Sequence, residues 1–176
     1  MGRSYHRLNS DYMMLHALCR FFLENTGPDL QKGDTAMMPF IVDMSRLFEL
    51  FVAEWLQARL PQEYRLLTQE QVRVGEDHTI SFNIDLVIYE AASGRVLYVL
   101  DTKYKKDRVP SKADFNQILT YAVAKDCAQA VLVYPTTEIY DFDKTLGEIR
   151  VVNSSFALEG DLEAAGQDFL RQLRLG

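Results

Sequence analysis

FNIDLVIYEAASGRVLYVLDTKYK, residues 82–105, holds two apolar runs joined by a turn. The first run alternates. Ile80, Phe82, Ile84, Leu86 and Ile88 fall at every second place, the period of a strand with one buried face. The second run, from Val96, is apolar on both faces as far as Val99, which predicts a strand in the middle of a sheet. Gly94 fits the last position of a three-residue hairpin loop that would pair Ala91 with Arg95, and a five-residue loop would pair Glu90 with Val96. Either closure sets Val87 against Val99, Leu86 against Leu100 and therefore Asp85 against Asp101. A slip of one residue would set Asp101 against Ile84 or Leu86 and mix the two faces.

Two carboxylates directly across a sheet repel each other. Something positive is expected between them, and a hard divalent cation, Mg²⁺ or Mn²⁺, suits oxygen ligands of this kind. Lys103 lies two residues beyond Asp101, so its side chain leaves the same face. The alternative is a plain salt-bridge cluster of Asp85, Asp101 and Lys103 at a strand end. Lys103, Lys105, Lys106, Arg108 and Lys112 then crowd into ten residues. Such a run is either a solvated loop or a phosphate-binding margin of the same site.

Outward from the hairpin, helical periodicity covers residues 5–25 through Leu8, Tyr12, Leu15, Cys19 and Phe22, with NTGPD as its stop. Ile41, Met44, Phe48, Phe51, Val52 and Trp55 share a face of a second helix that runs up to Pro61. Glu49 sits at the margin of that apolar stripe. YRLLTQEQVRV, residues 64–74, predicts a strand with a polar side. Ser111 and Asp114 match a capping box at the start of another helix. On that helix Gln117 and Tyr121 are one turn apart and share a face. AVLVYP and EIRVVNSSF predict further strands, and residues 160–173 a closing helix. The order α-α-β-β-β-α-β-β-α predicts an α/β fold, a mixed central β-sheet flanked by helices. With no linker in sight, residues 1–176 are expected to form one domain: a helical segment over about 1–60, an α/β core over about 40–155, and the last helix.

The 176 residues suffice for one domain with a real core, and 48% hydrophobic with 25% charged residues is the composition of an ordinary globule. Cys19 and Cys127 lie far apart without CxxC spacing, which argues against disulfides or zinc and suits a reducing cytosol. His6, His16 and His78 are isolated and make no metal-ligand spacing. No apolar run approaches a membrane span. The net charge of −6 argues against strong unaided binding to nucleic acid, but acidic metal ligands would themselves contribute to it.

These residues carry a resemblance. FNIDLVIYE and VLYVLDTKYK resemble the PD-(D/E)xK nuclease signature, with Asp85 at its first acid, Asp101 at its second and Lys103 at its lysine; Ile84 stands where that family has proline. Glu49 matches the acid on the helix before the sheet, and Gln117 with Tyr121 matches the QxxxY element of exonuclease-like and resolvase-like members. HRLNSDYMMLHALCRFFLEN, FIVDMSRLFELFVAEWL and LDTKYK together resemble the nuclease half of the McrC family, the cleavage subunits of McrBC restriction systems that act on 5-methylcytosine DNA. The likeness runs from about residue 5 to about residue 155.

The resemblance implies a restriction-endonuclease-like core, a prokaryotic cytoplasmic setting, Mg²⁺ or Mn²⁺ as cofactor, DNA as substrate and a McrB-like AAA+ GTPase as partner. It implies that Asp85, Asp101 and the Thr102 backbone carbonyl hold the metal. Glu49 would hold a second metal or a metal-bound water, Lys103 would act on the attacking water or the phosphate, and Gln117 and Tyr121 would orient Lys103 or the DNA backbone. Lys105, Lys106, Arg108 and Lys112 would meet phosphates. McrC proteins also carry an amino-terminal region that engages the McrB ring. A chain of this length has no room for one, so it is expected to be a trimmed piece or a short relative. A repair or recombination nuclease of the same fold, and a nuclease-like scaffold without activity, are the alternatives.

Overall fold

The computed structural model describes residues 42–74, 80–105 and 109–175. The helix expected over 5–25, the three histidines, Cys19, Lys106 and Arg108 lie outside them. Asp43–Gly176 forms one compact unit.

Asp43 caps the first described helix, α1 (Met44–Arg59), by accepting from the N–H groups of Ser45 and Arg46. Next come β1 (Tyr64–Val74), β2 (Ile80–Glu90) and β3 (Val96–Thr102), then α2 (Lys112–Ala124), β4 (Gln129–Tyr134), β5 (Asp143–Leu146), β6 (Ile149–Ser155) and α3 (Leu162–Gln172). The six strands form one mixed sheet in the order β1-β2-β3-β4-β6-β5. The three amino-terminal strands pair antiparallel; β4 runs parallel to β3 and to β6. A parallel step needs a crossover, and α2 supplies the one from β3 to β4. This is the expected α/β fold, with the doubly apolar run of β3 in the middle and the half-polar β1 at an edge.

The sequence reading passed over β5. All four of its residues are exposed, so it has no buried face to leave a period. It is held as an edge strand by β6, through a hairpin turning at Gly147 with φ +62°.

Two apolar layers cover the sheet. On one face Phe48, Val52 and Leu56 of α1 and Phe169 and Leu170 of α3 pack over Leu86, Ile88, Leu100, Val131 and Val133. On the other, Ile118, Tyr121 and Ala122 of α2 pack over Val87, Val99, Ala130 and Leu132. Ile84, with Phe82 against it, belongs to this second layer. The single face expected for the alternating run therefore divides at Asp85. β1 shows why. Thr68 pairs with Leu86 and Glu70 with Ile84, but pairing lapses at Gln69, whose φ is +50°. A left-handed residue inside a strand breaks its pleat, and β1 changes face at the same level, with Leu66 in the first layer and Val72 in the second.

Where α1 and α3 meet, a β-carbon at Gly166 would come within 2.1 Å of Trp55 Cζ2. Trp55 is itself wedged edge-on against Phe156, with ring centroids 5.3 Å apart. Gly166→Ala is therefore expected to destabilise by about 1–3 kcal/mol despite the better helix propensity of alanine, read as a lower denaturation midpoint. A midpoint equal to or above wild type would show that the Trp55 ring moves aside freely.

Candidate active site

The hairpin register places the acids. Leu86 pairs with Leu100, Val87 with Val99 and Ile88 with Tyr98, as the apolar matching requires. Neither expected loop is the one that closes it. Glu90 N–H donates to the Arg95 carbonyl at 2.9 Å, leaving Ala91 to Gly94 as the loop, and Tyr89 then pairs with Val96. Leu97 is the extra residue of a β-bulge, and this bulge restores the register before it reaches the acids.

At the far end the ladder stops one pair short of Asp85 and Asp101. Asp85 Oδ2 instead accepts from the Thr102 N–H at 2.9 Å and from its hydroxyl at 3.0 Å. Lys103 N–H turns the other way, to the Val133 carbonyl at 2.8 Å. Alternation along the strand then directs the Thr102 carbonyl to the Asp85 side, the same side as its own N–H.

Asp101 shares a face with Val99 and is 1% exposed. Its Oδ2 has no aligned hydrogen-bond donor, although the Lys103 ammonium lies 2.5 Å away. Burial pushes the Asp101 carboxyl up to about 7; Lys103 opposes the rise and Asp85 adds to it. For Lys103, burial acts downward, but Asp101, Asp114 and Asp85 outweigh it and hold the ammonium above its ordinary value. One ion pair thus looks unfavourable from the acid and favourable from the base. The acid has a single cation and a repelling neighbour, whereas the lysine has three acids around it.

Lys103 Nζ also donates to Gln117 Oε1 at 3.0 Å, and Gln117 Nε2 donates to the Tyr121 hydroxyl at 2.7 Å. Tyr121 stacks on Phe82 at a centroid distance of 5.0 Å. So Asp85, Asp101, Thr102, Lys103, Gln117 and Tyr121 are brought together, where α2 passes the carboxyl end of β3 and the first half of β2.

Glu49 stands apart from them. It accepts from Arg46 and from Gln69, both at 2.5 Å. Among the described residues no three His, Cys, Asp or Glu side chains converge as a metal-binding group, so Glu49 does not complete a triad with Asp85 and Asp101. The reason is topological: α1 covers one face of the sheet, and Asp101 looks to the other. Lys105 is not a free cation either; its ammonium lies 2.6 Å from Asp114 Oδ1. Lys112 is exposed in the first turn of α2.

Asp114 is the residue sequence reasoning missed. It was legible as a capping residue, and the box is formed with Ser111. It also lies 3.6 Å from Lys103 Nζ. Burial would raise its carboxyl, but the bonds from Lys105 and Ser111 bring it down to about 2. The signal was in the spacing, because Asp114, Gln117 and Tyr121 follow at three and four residues and so share one helical face.

No curated protein matches the chain. A solved structure does, titled as a refined half-complex from a tetradecameric assembly of Thermococcus gammatolerans McrB AAA+ hexamers with bound McrC. The likeness has a TM-score of 0.66 at 22% identity, over 98% of this chain and 40% of the matched one. The present chain thus spans well under half of that chain's length, and the likeness is one of fold. A family described as McrBC 5-methylcytosine restriction system component matches residues 3–135, most of the chain and all of the site, and the chain belongs to that family.

Proposed function

We propose that the chain is a metal-dependent DNA nuclease domain of the PD-(D/E)xK type, the cleaving part of a modification-dependent restriction system. The observation that carries the reading is Asp101: a carboxylate 1% exposed, with Asp85 as a repelling neighbour and the Lys103 ammonium, 2.5 Å from its Oδ2, as its one cation. One ammonium does not offset burial beside a second acid, since the carboxyl is still pushed up to about 7, and a divalent cation would supply the missing charge. The donor set fits a hard ion, since Asp85, Asp101 and the Thr102 carbonyl offer oxygen alone. Mg²⁺ or Mn²⁺ held there would polarise a scissile phosphate and acidify an attacking water.

The chain's own groups do the rest. Lys103 places a positive charge where the phosphorane oxygens gain negative charge, in a site too buried for water to screen it. Gln117, held by Tyr121, keeps the ammonium aimed. Thr102 holds Asp85 in one orientation through two hydrogen bonds. Glu49, tied to Gln69, is placed to act from the α1 side only through a water or after rearrangement. Lys112, exposed in the first turn of α2, is the described cation placed to meet a phosphate at this margin.

Nothing in this set reads a base. Choice of modified DNA therefore falls to a partner, and a McrB-like AAA+ GTPase is the partner we infer. The structural neighbour contains McrB hexamers with bound McrC, and the net charge of −6 suits a domain that is delivered to DNA.

The test is cleavage of plasmid and linear DNA with Mg²⁺ or Mn²⁺, with and without a McrB-like partner, beside Asp101→Ala. Metal-dependent cutting that the variant loses supports the reading. Equal cutting by both, or tight DNA binding without cutting that Asp101→Ala leaves unchanged, would sink it.

A pH dependence follows. A carboxylate must lose its proton to bind a metal. With Asp101 pushed up to about 7, Mn²⁺ affinity is expected to climb as pH rises from 5.5 and to level off above about 7. The slope approaches about tenfold per unit at the acid end. Calorimetric titration at several pH values measures it, and a profile flat from pH 5.5 to 8 would contradict the buried acid as ligand.

A further inference from the structure

Asp114 sits in this cluster without a part in the chemistry above. It is 4% exposed, and its two oxygens are used differently. Oδ2 accepts from the Ser111 N–H at 3.0 Å and from the Ser111 hydroxyl at 2.7 Å, which locks the carboxylate to the helix start. Oδ1 is thereby presented to ammonium groups, Lys105 at 2.6 Å and Lys103 at 3.6 Å. Lys103 Nζ in turn has three oxygen neighbours: Asp101 Oδ2 at 2.5 Å, Gln117 Oε1 at 3.0 Å and Asp114 Oδ1 at 3.6 Å.

An ammonium at 2.5 Å from Asp101 Oδ2 occupies the oxygen that a divalent ion would need. Two cations on one oxygen repel strongly in a buried site. The lysine must then give way without leaving its own charge unpaired. Among the described residues, Asp114 is the other carboxylate at ion-pair distance from it. The flexible lysine stem reaches it by closing roughly 1 Å to a charge-assisted hydrogen bond, with Gln117 as the pivot, while Lys105, whose side chain is 43% exposed, gives up the same oxygen to solvent.

We propose that Asp114 is a positioning residue for Lys103, the counter-ion onto which the ammonium swings when a cation takes Asp101. This rests on the nuclease reading and deepens it. A bare capping residue with a lysine on it would have no such coupling.

The test is a double-mutant cycle read by Mn²⁺ binding to the full chain at pH 8, by calorimetry. Its members are wild type, Asp114→Asn, Lys103→Met and the double variant. Asparagine still offers an oxygen to Ser111, so the helix start is kept, and thermal melts check that each variant folds. With Lys103 present, Asp114→Asn is expected to weaken Mn²⁺ binding about fivefold or more, because the ammonium stays on Asp101. In the Lys103→Met background the same change is expected to cost less than about twofold, since no ammonium competes. Asp114→Glu keeps both charge and capping box and is expected to bind as wild type does. An equal loss in both backgrounds overturns the proposal, because it would reflect only the general field of a lost anion. Asp101→Asn separates the two levels. If it abolishes binding while the cycle shows no coupling, only the role of Asp114 fails. If it binds as wild type, or wild type takes up no Mn²⁺, the nuclease reading fails and the role of Asp114 with it.

Discussion

Asp101→Asn is expected to lower DNA cleavage by about 10³-fold or more while leaving the fold at least as stable as wild type above pH 7. The two effects have one cause. The Asp101 carboxyl is pushed up to about 7 by burial, against an ordinary value of 3.8. Between those values the folded chain holds a proton that the unfolded chain has released. The contribution of this group to stability is thus full below about pH 4 and is lost as pH rises through 7. The span of the shift corresponds to about 4 kcal/mol. Asparagine has no charge to bury, so it is spared that loss. Wild type and variant should differ least near pH 4 and most above pH 7, in melts without metal. Added Mn²⁺ should raise the midpoint of wild type alone, since a ligand stabilises only the state it binds. Should the variant cut DNA as wild type does, or should the two stability profiles run parallel across pH 4 to 8, Asp101 is neither a metal ligand nor a buried charge.

Lys103→Met is expected to lower cleavage by about 10²–10³-fold, with Mn²⁺ binding retained at high pH. Lys103 makes no contact that a metal needs; Asp85, Asp101 and the Thr102 carbonyl remain. Losing the ammonium removes the one neighbour that opposes the upward shift of Asp101, so the carboxyl should rise above about 7. The pH at which Mn²⁺ binding levels off should then move up. Loss of chemistry with binding preserved assigns the lysine to the reacting phosphate or water. Loss of both at pH 9 would make it a structural member of the cluster, and undiminished cleavage would remove it from the mechanism.

The hairpin register could be read from the sequence because both strands carry apolar residues at positions that match in only one pairing. Val87 against Val99 and Leu86 against Leu100 left no second choice. The means of reaching that register could not be read. The Leu97 bulge and the Ala91–Gly94 loop compensate for each other, and apolar matching at the far end is blind to such a pair of offsets. β5 left no trace because an exposed edge strand needs no pattern. Gln69 was equally silent. Its positive φ is a strain of about 1–2 kcal/mol that the surrounding sheet imposes, and glutamine has no preference that announces it. Gln69 lies level with the point where the β2 side chains divide between two layers, and its amide donates to Glu49.

The sequence by itself determined which acids and which lysine share a sheet end, because strand periodicity assigns faces residue by residue and the apolar partners admit one register. Tertiary structure decided what those groups meet. Asp114 reaches Lys103 and Lys105 only because α2 crosses over the carboxyl end of β3. Glu49 is taken up by Arg46 and Gln69, partners that α1 and β1 bring to it. The shift of Asp101 comes from the water that two layers of side chains exclude. Periodicity is a local property of the chain, whereas burial and ion pairing across elements depend on segments far apart in sequence arriving at one place.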